Sequence, residues 1–218
     1  MAQLFHHHAN TLAKGVILGV LILIGAGSYT AWQVNNSYNV YRHEPVTQPV
    51  PFSHKHHVTD DGIDCRFCHT TVETSAFAGI PSTHTCMTCH SKIWVNSAML
   101  EPVRESYISD TSIDWVKVNE LPDFVYFNHS IHVAKGIGCT TCHGPIGDMP
   151  ITYRQNTLYM RWCINCHKHP WRYIRPKKDV FSVTYKPPAD QDAMGRRLVA
   201  EYHIKPPLVI TSCYTCHR

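Results

Sequence analysis

The one long apolar run in the chain lies close to its N-terminus. From Gly15 to Trp32 the sequence reads GVILGVLILIGAGSYTAW, 18 residues without a charge. As a helix this run covers about 27 Å, close to the thickness of a bilayer's hydrocarbon core. Lys14 stands at one end, and Tyr29 and Trp32 at the other, where interfacial aromatic rings are favoured. Gly25, Ala26, Gly27 and Ser28 would suit a cleavage site, but the run is longer than a signal-peptide core, so an uncleaved anchor is expected.

Beyond residue 34 the pattern changes. A polar, proline-bearing stretch covers 35–51, and sustained helical or strand periodicity is rare after it. Trp115-Val116-Lys117-Val118 alternates and predicts a short strand. Asp190 to His203 has helical composition. Elsewhere short apolar groups are broken by proline and glycine, which predicts a mostly irregular ectodomain with short helices.

One pattern occurs twice. Phe52-Ser53-His54-Lys55-His56-His57-Val58 leads into Gly62-Ile63-Asp64-Cys65, and Phe127-Asn128-His129-Ser130-Ile131-His132-Val133 leads into Gly136-Ile137-Gly138-Cys139. The shared form is F-x-H-x-x-H-V, a loop, then G-I-x-C, with the loops differing by one residue. The expected organisation is an N-terminal anchor over 1–34 and a linker over 35–51. A first unit with its connector follows over 52–122, a second unit over 123–175, and a C-terminal extension over 176–218.

All ten cysteines fall into five CxxCH groups, paired as Cys65/Cys68, Cys86/Cys89, Cys139/Cys142, Cys163/Cys166 and Cys213/Cys216. Each group ends in a histidine: His69, His90, His143, His167 and His217. The gaps within each unit also match a zinc ribbon. Histidine occupies 17 of 218 positions. Its chance recurrence after all five pairs is therefore of order one in several hundred thousand, and an odd number of pairs leaves one without a partner. The reading is c-type haem attachment. Two thiols form thioethers to the porphyrin and the adjacent histidine approaches the iron. Five haem c groups are expected, and their bulk would organise a fold with little side-chain core.

The sixth position on each iron decides what such a chain does. A second strong ligand suits electron transfer, whereas an open position admits small molecules. His54, His57, His129 and His132, placed ahead of attachment sites in both repeats, are the expected partners for four irons. For the fifth, Met149 and Met160 are favoured over His169 and His203, because a thioether raises the potential. His56 and His84 are not expected to be ligands. Trp162, Trp171, Tyr173, Phe67, Phe77 and Tyr214 are expected to pack against haem edges. The formal charge of +4 is scattered, which argues against a nucleic-acid partner.

With these motifs in hand, the chain resembles the class III multihaem cytochromes, the family of the small cytochromes c3 and c7. It looks most like the pentahaem membrane-anchored subunit of alternative complex III. The phrases that carry the likeness are Phe52-Ser53-His54, Phe77-Ala78-Gly79-Ile80-Pro81, Leu121-Pro122-Asp123-Phe124, Cys142-His143-Gly144-Pro145 with Met149, and Leu158-Tyr159-Met160-Arg161-Trp162-Cys163. His169 departs from that pattern. The resemblance implies an integral membrane quinol-oxidising complex with an iron–sulfur subunit, polytopic quinol-binding subunits and monohaem cytochromes, and a soluble electron acceptor. It also implies an inner-membrane location with the N-terminus cytoplasmic and the haem domain periplasmic. The role would be an electron relay without substrate chemistry of its own. Two alternatives stand beside it: a free-standing membrane-anchored quinol dehydrogenase cytochrome, and a multihaem reductase with one open haem.

Overall fold

The computed structural model describes His6, residues 8–36 and residues 41–217, and divides the chain into two compact units, Met1–Arg42 and His43–Arg218. The linker expected over 35–51 lies partly outside the described residues, at 37–40.

The first unit is built on one helix, α1, Ala9–Asn36. It extends further at both ends than the uncharged run, because the flanking Thr11, Gln33 and Asn35 are compatible with helix. Leu18 and Ile22 are exposed on one face, as are Val20 and Ile24 on another and Leu12 and Leu23 on a third. A helix apolar all round suits a lipid environment, and its length and composition are sufficient to cross a membrane.

The second unit is a series of short helices. These are α2 Cys65–Cys68, α3 Thr83–His90, α4 Glu101–Ser109, α5 His129–Ala134, α6 Cys139–His143, α7 Met160–Lys168, α8 Gln191–Glu201, α9 Pro207–Ile210 and α10 Cys213–Cys216. Single 3-10 turns and one π turn, Lys55–Asp60, lie between them. No strand forms among the described residues. The strand expected at Trp115–Val118 is corrected: the Gln48 side chain occupies its edge, donating to Val116 O (2.9 Å) and accepting from Val116 N–H (2.9 Å). A single carboxamide satisfies both backbone groups that a neighbouring strand would have paired.

The predicted helical segment at 190–203 is α8. Its Gly195 lies directly on the turn Pro170–Arg172, where a Cβ would collide with Trp171 O. This close approach brings Leu198 and Tyr202 onto Ile174, forming the one cluster of buried side chains among the described residues. Elsewhere the apolar core is sparse: eight hydrophobic residues are buried among those described. A unit this long ordinarily buries much more of its surface. Phe67, Phe77, Ile93, Trp94, Phe124 and Tyr214, all close to CxxCH groups, remain exposed on the polypeptide.

The repeat is visible in three dimensions. His57 stacks on Phe52 (4.5 Å, 20°) while His54 meets the same ring edge-on (4.9 Å, 87°). His132 and His129 repeat both contacts on Phe127, at 4.6 Å and 26° and at 4.7 Å and 89°. The extra residue of the first copy is absorbed as a π turn, where Asp61 N–H reaches back to His56 O. The next bond is thereby preserved: Ile63 N–H donates to His57 O and Ile137 N–H to His132 O, both at 2.9 Å.

Candidate metal centres

Each CxxCH group folds as a helical turn. His69 N–H donates to Cys65 O (2.9 Å) and His217 N–H to Cys213 O (2.8 Å), while the other three groups lie within α3, α6 and α7. On a helix, residues three and four apart share a face. Both thiols and the following histidine are thus presented together. The ten cysteines form no disulfide.

Cys89 differs from the half-buried setting that most of the ten cysteines share. It is exposed, as is Cys213, whereas the other eight are partly buried. Its partner Cys86, on the same helix α3, is partly buried. The Cys89 sulfur accepts from its neighbour Thr88 Oγ1 (3.8 Å). At Cys89 the CxxCH spacing is kept while the thiol is open to solvent.

The histidine rings are held by their Nδ1 atoms. His69 donates to Gly79 O (2.6 Å), His90 to Ile93 O (3.3 Å), His167 to Ile210 O (2.7 Å) and His217 to Phe124 O (2.9 Å). Among the repeat histidines, His57 donates to Ser53 O (2.9 Å), His129 to Ala76 O (2.8 Å) and His132 to Asn128 O (2.7 Å). A carbonyl oxygen only accepts, so Nδ1 carries a proton in all seven, which leaves Nε2 as the nitrogen that can offer a lone pair. This is the arrangement by which second-shell groups orient a metal-binding imidazole. His143 Nδ1 meets the Asn119 carboxamide (3.2 Å), and His54 Nδ1 meets Thr152 Oγ1 (3.0 Å). Asn119 and Thr152 escaped sequence reasoning, since no local pattern marks a residue 24 or 98 positions from its partner.

Three pairs of rings adjoin: His57–His90 at 6.2 Å and edge-on at 70°, and His132–His167 at 6.2 Å and His129–His143 at 6.5 Å between centroids with their planes closer to parallel. A nitrogen–metal bond of about 2 Å puts the centroids of two trans imidazoles roughly 6–6.5 Å apart. The observed spacing therefore fits a single iron held from both sides. His54 lies in the field of His69. Burial first, then the charges of His69, His143 and His57, bring its pKa down to about 4. Burial likewise brings His143 down to about 4 and lowers His132. These rings are neutral at pH 7, as an imidazole ligand must be. No cluster of three or more His, Cys, Asp or Glu suited to holding a bare ion occurs among the described residues. Two axial ligands per iron are all that a porphyrin requires.

His217 is placed differently. Its ring stacks on Phe124 (5.8 Å, 28°). Of the candidates for its iron, Met149 is buried, with its backbone oxygen accepting from Lys55 N–H in the first repeat. Met160 opens α7 and is 64% exposed. His169 donates Nδ1–H to Asn165 O (3.2 Å) and meets Trp171 edge-on (5.4 Å). His203 is exposed at φ +50°. His56 turns Nε2 toward Asp61 (3.5 Å) and stacks on Trp94, outside the paired set.

A curated relative, the multihaem cytochrome c subunit of menaquinone reductase from Nitratidesulfovibrio vulgaris, is 31% identical over 141 residues, covering 55% of this chain and 67% of that protein. The chain is a multihaem cytochrome c of the quinone-oxidoreductase type. No family model matches it. The cytochrome is thus an electron-transfer subunit carrying c-type haem, and the CxxCH turns and carbonyl-anchored histidines are the features that fit that group.

Thiols of successive CxxCH groups in the cytochrome influence one another. As a free thiol, Cys68 is pushed up by burial and then by neighbouring Cys86. Cys65 and Cys139 are hydrogen-bonded to each other, which holds Cys65 low and Cys139 high. Burial, followed by Cys166 and Cys163, pushes Cys142 up to about 12; burial and then Cys216 push Cys163 up. Neighbouring positions therefore run Cys86, Cys68 and Cys65, Cys139 and Cys142, Cys163 and Cys166, then Cys216. The two exposed thiols, Cys89 and Cys213, belong to the groups at the two ends of this series.

Proposed function

We propose that the cytochrome is the pentahaem, membrane-anchored relay subunit of a quinol:electron-acceptor oxidoreductase of the alternative complex III type. The observation that carries this reading is the set of three imidazole pairs at the spacing of one iron. In it, the ten cysteines, exposed Cys89 included, attach five haems, and His69, His90, His143, His167 and His217 are the proximal ligands. His57 serves the His90 site, His129 the His143 site and His132 the His167 site. By the symmetry of the repeat, His54 serves the His69 site. Met160 is assigned to the His217 site over Met149, because its thioether is exposed whereas that of Met149 is packed beside the first repeat.

When bound, each haem supplies a one-electron iron couple. The polypeptide's part is to close both axial positions, fix each ring through Nδ1 and hold the sites in an unbroken series from Cys86 to Cys216. Helix α1 anchors the unit with its N-terminus cytoplasmic and residues from 43 onward periplasmic. The quinol site belongs to polytopic partner subunits, because a single helix offers few walls for one. An iron–sulfur subunit, monohaem cytochromes and a soluble acceptor complete the chain of transfer.

A second reading is favoured by the name of the relative, a menaquinone reductase subunit. In it, electrons enter the cytochrome from a soluble donor and leave toward the quinone. The same sites serve either direction, and the potentials of the couples at the two ends select it.

The test is purification of the native complex, with identification of its subunits, haem counting by denatured mass, and reduction by menaquinol followed in the visible spectrum. Five covalent haems, polytopic partners and rapid reduction by quinol support the proposal. Reduction by a soluble donor with net quinone reduction supports the second reading. A chain purified alone, or with fewer than five haems, overturns the pentahaem relay.

A further inference from the structure

Seven imidazoles of the cytochrome are fixed by backbone carbonyls, which accept and cannot donate. His143 is fixed by Asn119, whose carboxamide has an acceptor at one end and a donor at the other. With Nδ2 toward the ring (3.2 Å), Asn119 donates to a bare Nδ1. Turned over, it presents Oδ1 to a protonated one. Among the described residues the carboxamide makes no other hydrogen bond, so turning over breaks none.

The backbone on both sides of Asn119 is clamped. Arg154 donates through Nε to Val118 O (3.1 Å) and through Nη2 to Glu120 O (3.0 Å). Arg154 is itself fixed, because its own carbonyl accepts from His43 N–H (2.9 Å). Two residues earlier, the carbonyl of Thr152 accepts from Val46 N–H (3.1 Å), and its hydroxyl lies 3.0 Å from His54 Nδ1. The stretch 152–154 therefore supports the partners of two imidazoles, one in each repeat-bearing half.

With Nε2 of His143 on iron, its proton sits on Nδ1. A proton there repels the carboxamide NH2 and calls for the oxygen. We infer that Asn119 Oδ1 accepts the Nδ1 proton of His143 in the loaded cytochrome, and that this hydrogen bond lowers the reduction potential of the haem attached at Cys139 and Cys142. The inference rests on the pentahaem reading of that site. The sign follows from the chemistry of the ring. An acceptor at Nδ1–H makes the imidazole a stronger donor at Nε2, and a stronger donor favours ferric iron, which carries one more positive charge than ferrous. Asn119 is a positioning residue, since it acts on the iron only through His143. The same contact fixes the plane of that ring, which lies within 4° of His129.

The experiment is a spectroelectrochemical titration of the full-length holoprotein carrying Asn119→Leu and, separately, Asn119→Asp, with covalent haem mapped to each CxxCH peptide by mass. Asn119→Leu, similar in size and without an acceptor, is expected to raise one of five midpoints. Asn119→Asp, a stronger acceptor, is expected to lower the same midpoint by on the order of tenfold in the one-electron equilibrium, about 59 mV. Electron paramagnetic resonance of the Leu variant should show one low-spin signal with altered anisotropy, because the His143 ring is free to turn. In a His129→Ala background the shifted haem is expected to be the one that binds carbon monoxide. Five unchanged midpoints in fully loaded variants overturn the inference. A shift confined to another haem overturns it too, as do Leu and Asp shifts of the same sign, which indicate packing and not a hydrogen bond. Should the Leu variant not accumulate, Asn119→Ala is read in the same way. A wild-type Cys139–Cys142 peptide without haem would sink the pentahaem reading itself, an outcome distinct from the others.

Discussion

The imidazole planes of His129 and His143 are parallel to within 4°, with their centroids 6.5 Å apart. Two helices set this relationship. His143 closes α6 directly behind its cysteines, while His129 opens α5, where both its backbone N–H (3.1 Å) and its Nδ1–H (2.8 Å) donate to Ala76 O. One carbonyl that follows the first CxxCH group thus aims a ring of the second repeat.

His129→Ala leaves Cys139 and Cys142 untouched, so covalent haem stays at the wild-type number. One haem then changes from low to high spin and binds carbon monoxide when reduced. Electron paramagnetic resonance and a carbon monoxide difference spectrum check this, and loss of the haem altogether would contradict it.

Met160→Ala is expected to open the axial position at the His217 site alone, and Met160→His to keep it low-spin while lowering its midpoint, because a thioether holds a higher potential than an imidazole. Met149→Leu should leave every spectrum unchanged and alter only stability, by up to about 1.5 kcal/mol. Spectral change in the Met149 variant without change in Met160→Ala would reverse the assignment.

His56→Ala is expected to leave all midpoints and spin states as in wild type, since its Nε2 faces Asp61 and not another histidine. Redox titration against the His57→Ala variant, which loses one low-spin signal, provides the contrast.

Gly62 and Gly136 occupy equivalent positions of the repeat, at φ +71° and +80°. Alanine at Gly62 meets open space and costs only the backbone strain, roughly 1–2 kcal/mol. At Gly136 a Cβ would lie 2.6 Å from Arg175 O and 2.9 Å from the Tyr202 ring, adding about 1–3 kcal/mol of overpacking. Thermal unfolding of the two holoproteins should therefore place Gly136→Ala clearly below Gly62→Ala; equal midpoints would mean that the stretch of chain around Arg175 yields freely.

Much of the chemistry was legible along the chain. CxxCH is a single helical turn, so its five residues carry their geometry with them, and F-x-H-x-x-H repeats a local contact of two imidazoles on one phenyl ring. The apolar run and the helix at 191–201 were legible for the same reason: their period is local. Trp115–Val118 misled, because its alternation could not reveal that Gln48 takes the place of a strand. Nor could the motif reveal that Cys89 lies exposed while Cys86 on the same helix is partly buried, since exposure is set by the rest of the fold.

What only the tertiary structure decided is which side chains meet. His57 reaches His90 and His132 reaches His167 across tens of residues, and Asn119, Thr152 and Ala76 O orient rings far from them in sequence. Arg175 lies against a motif some 35 residues upstream because α8 rides on the turn at Pro170 and pulls Ile174 inward. Bond-scale spacing along the chain sets local geometry, whereas the meeting of distant groups depends on the packing of the whole unit. The sequence alone therefore marked the CxxCH groups and their local turns, and the fold chose which distant side chains lie beside their histidines.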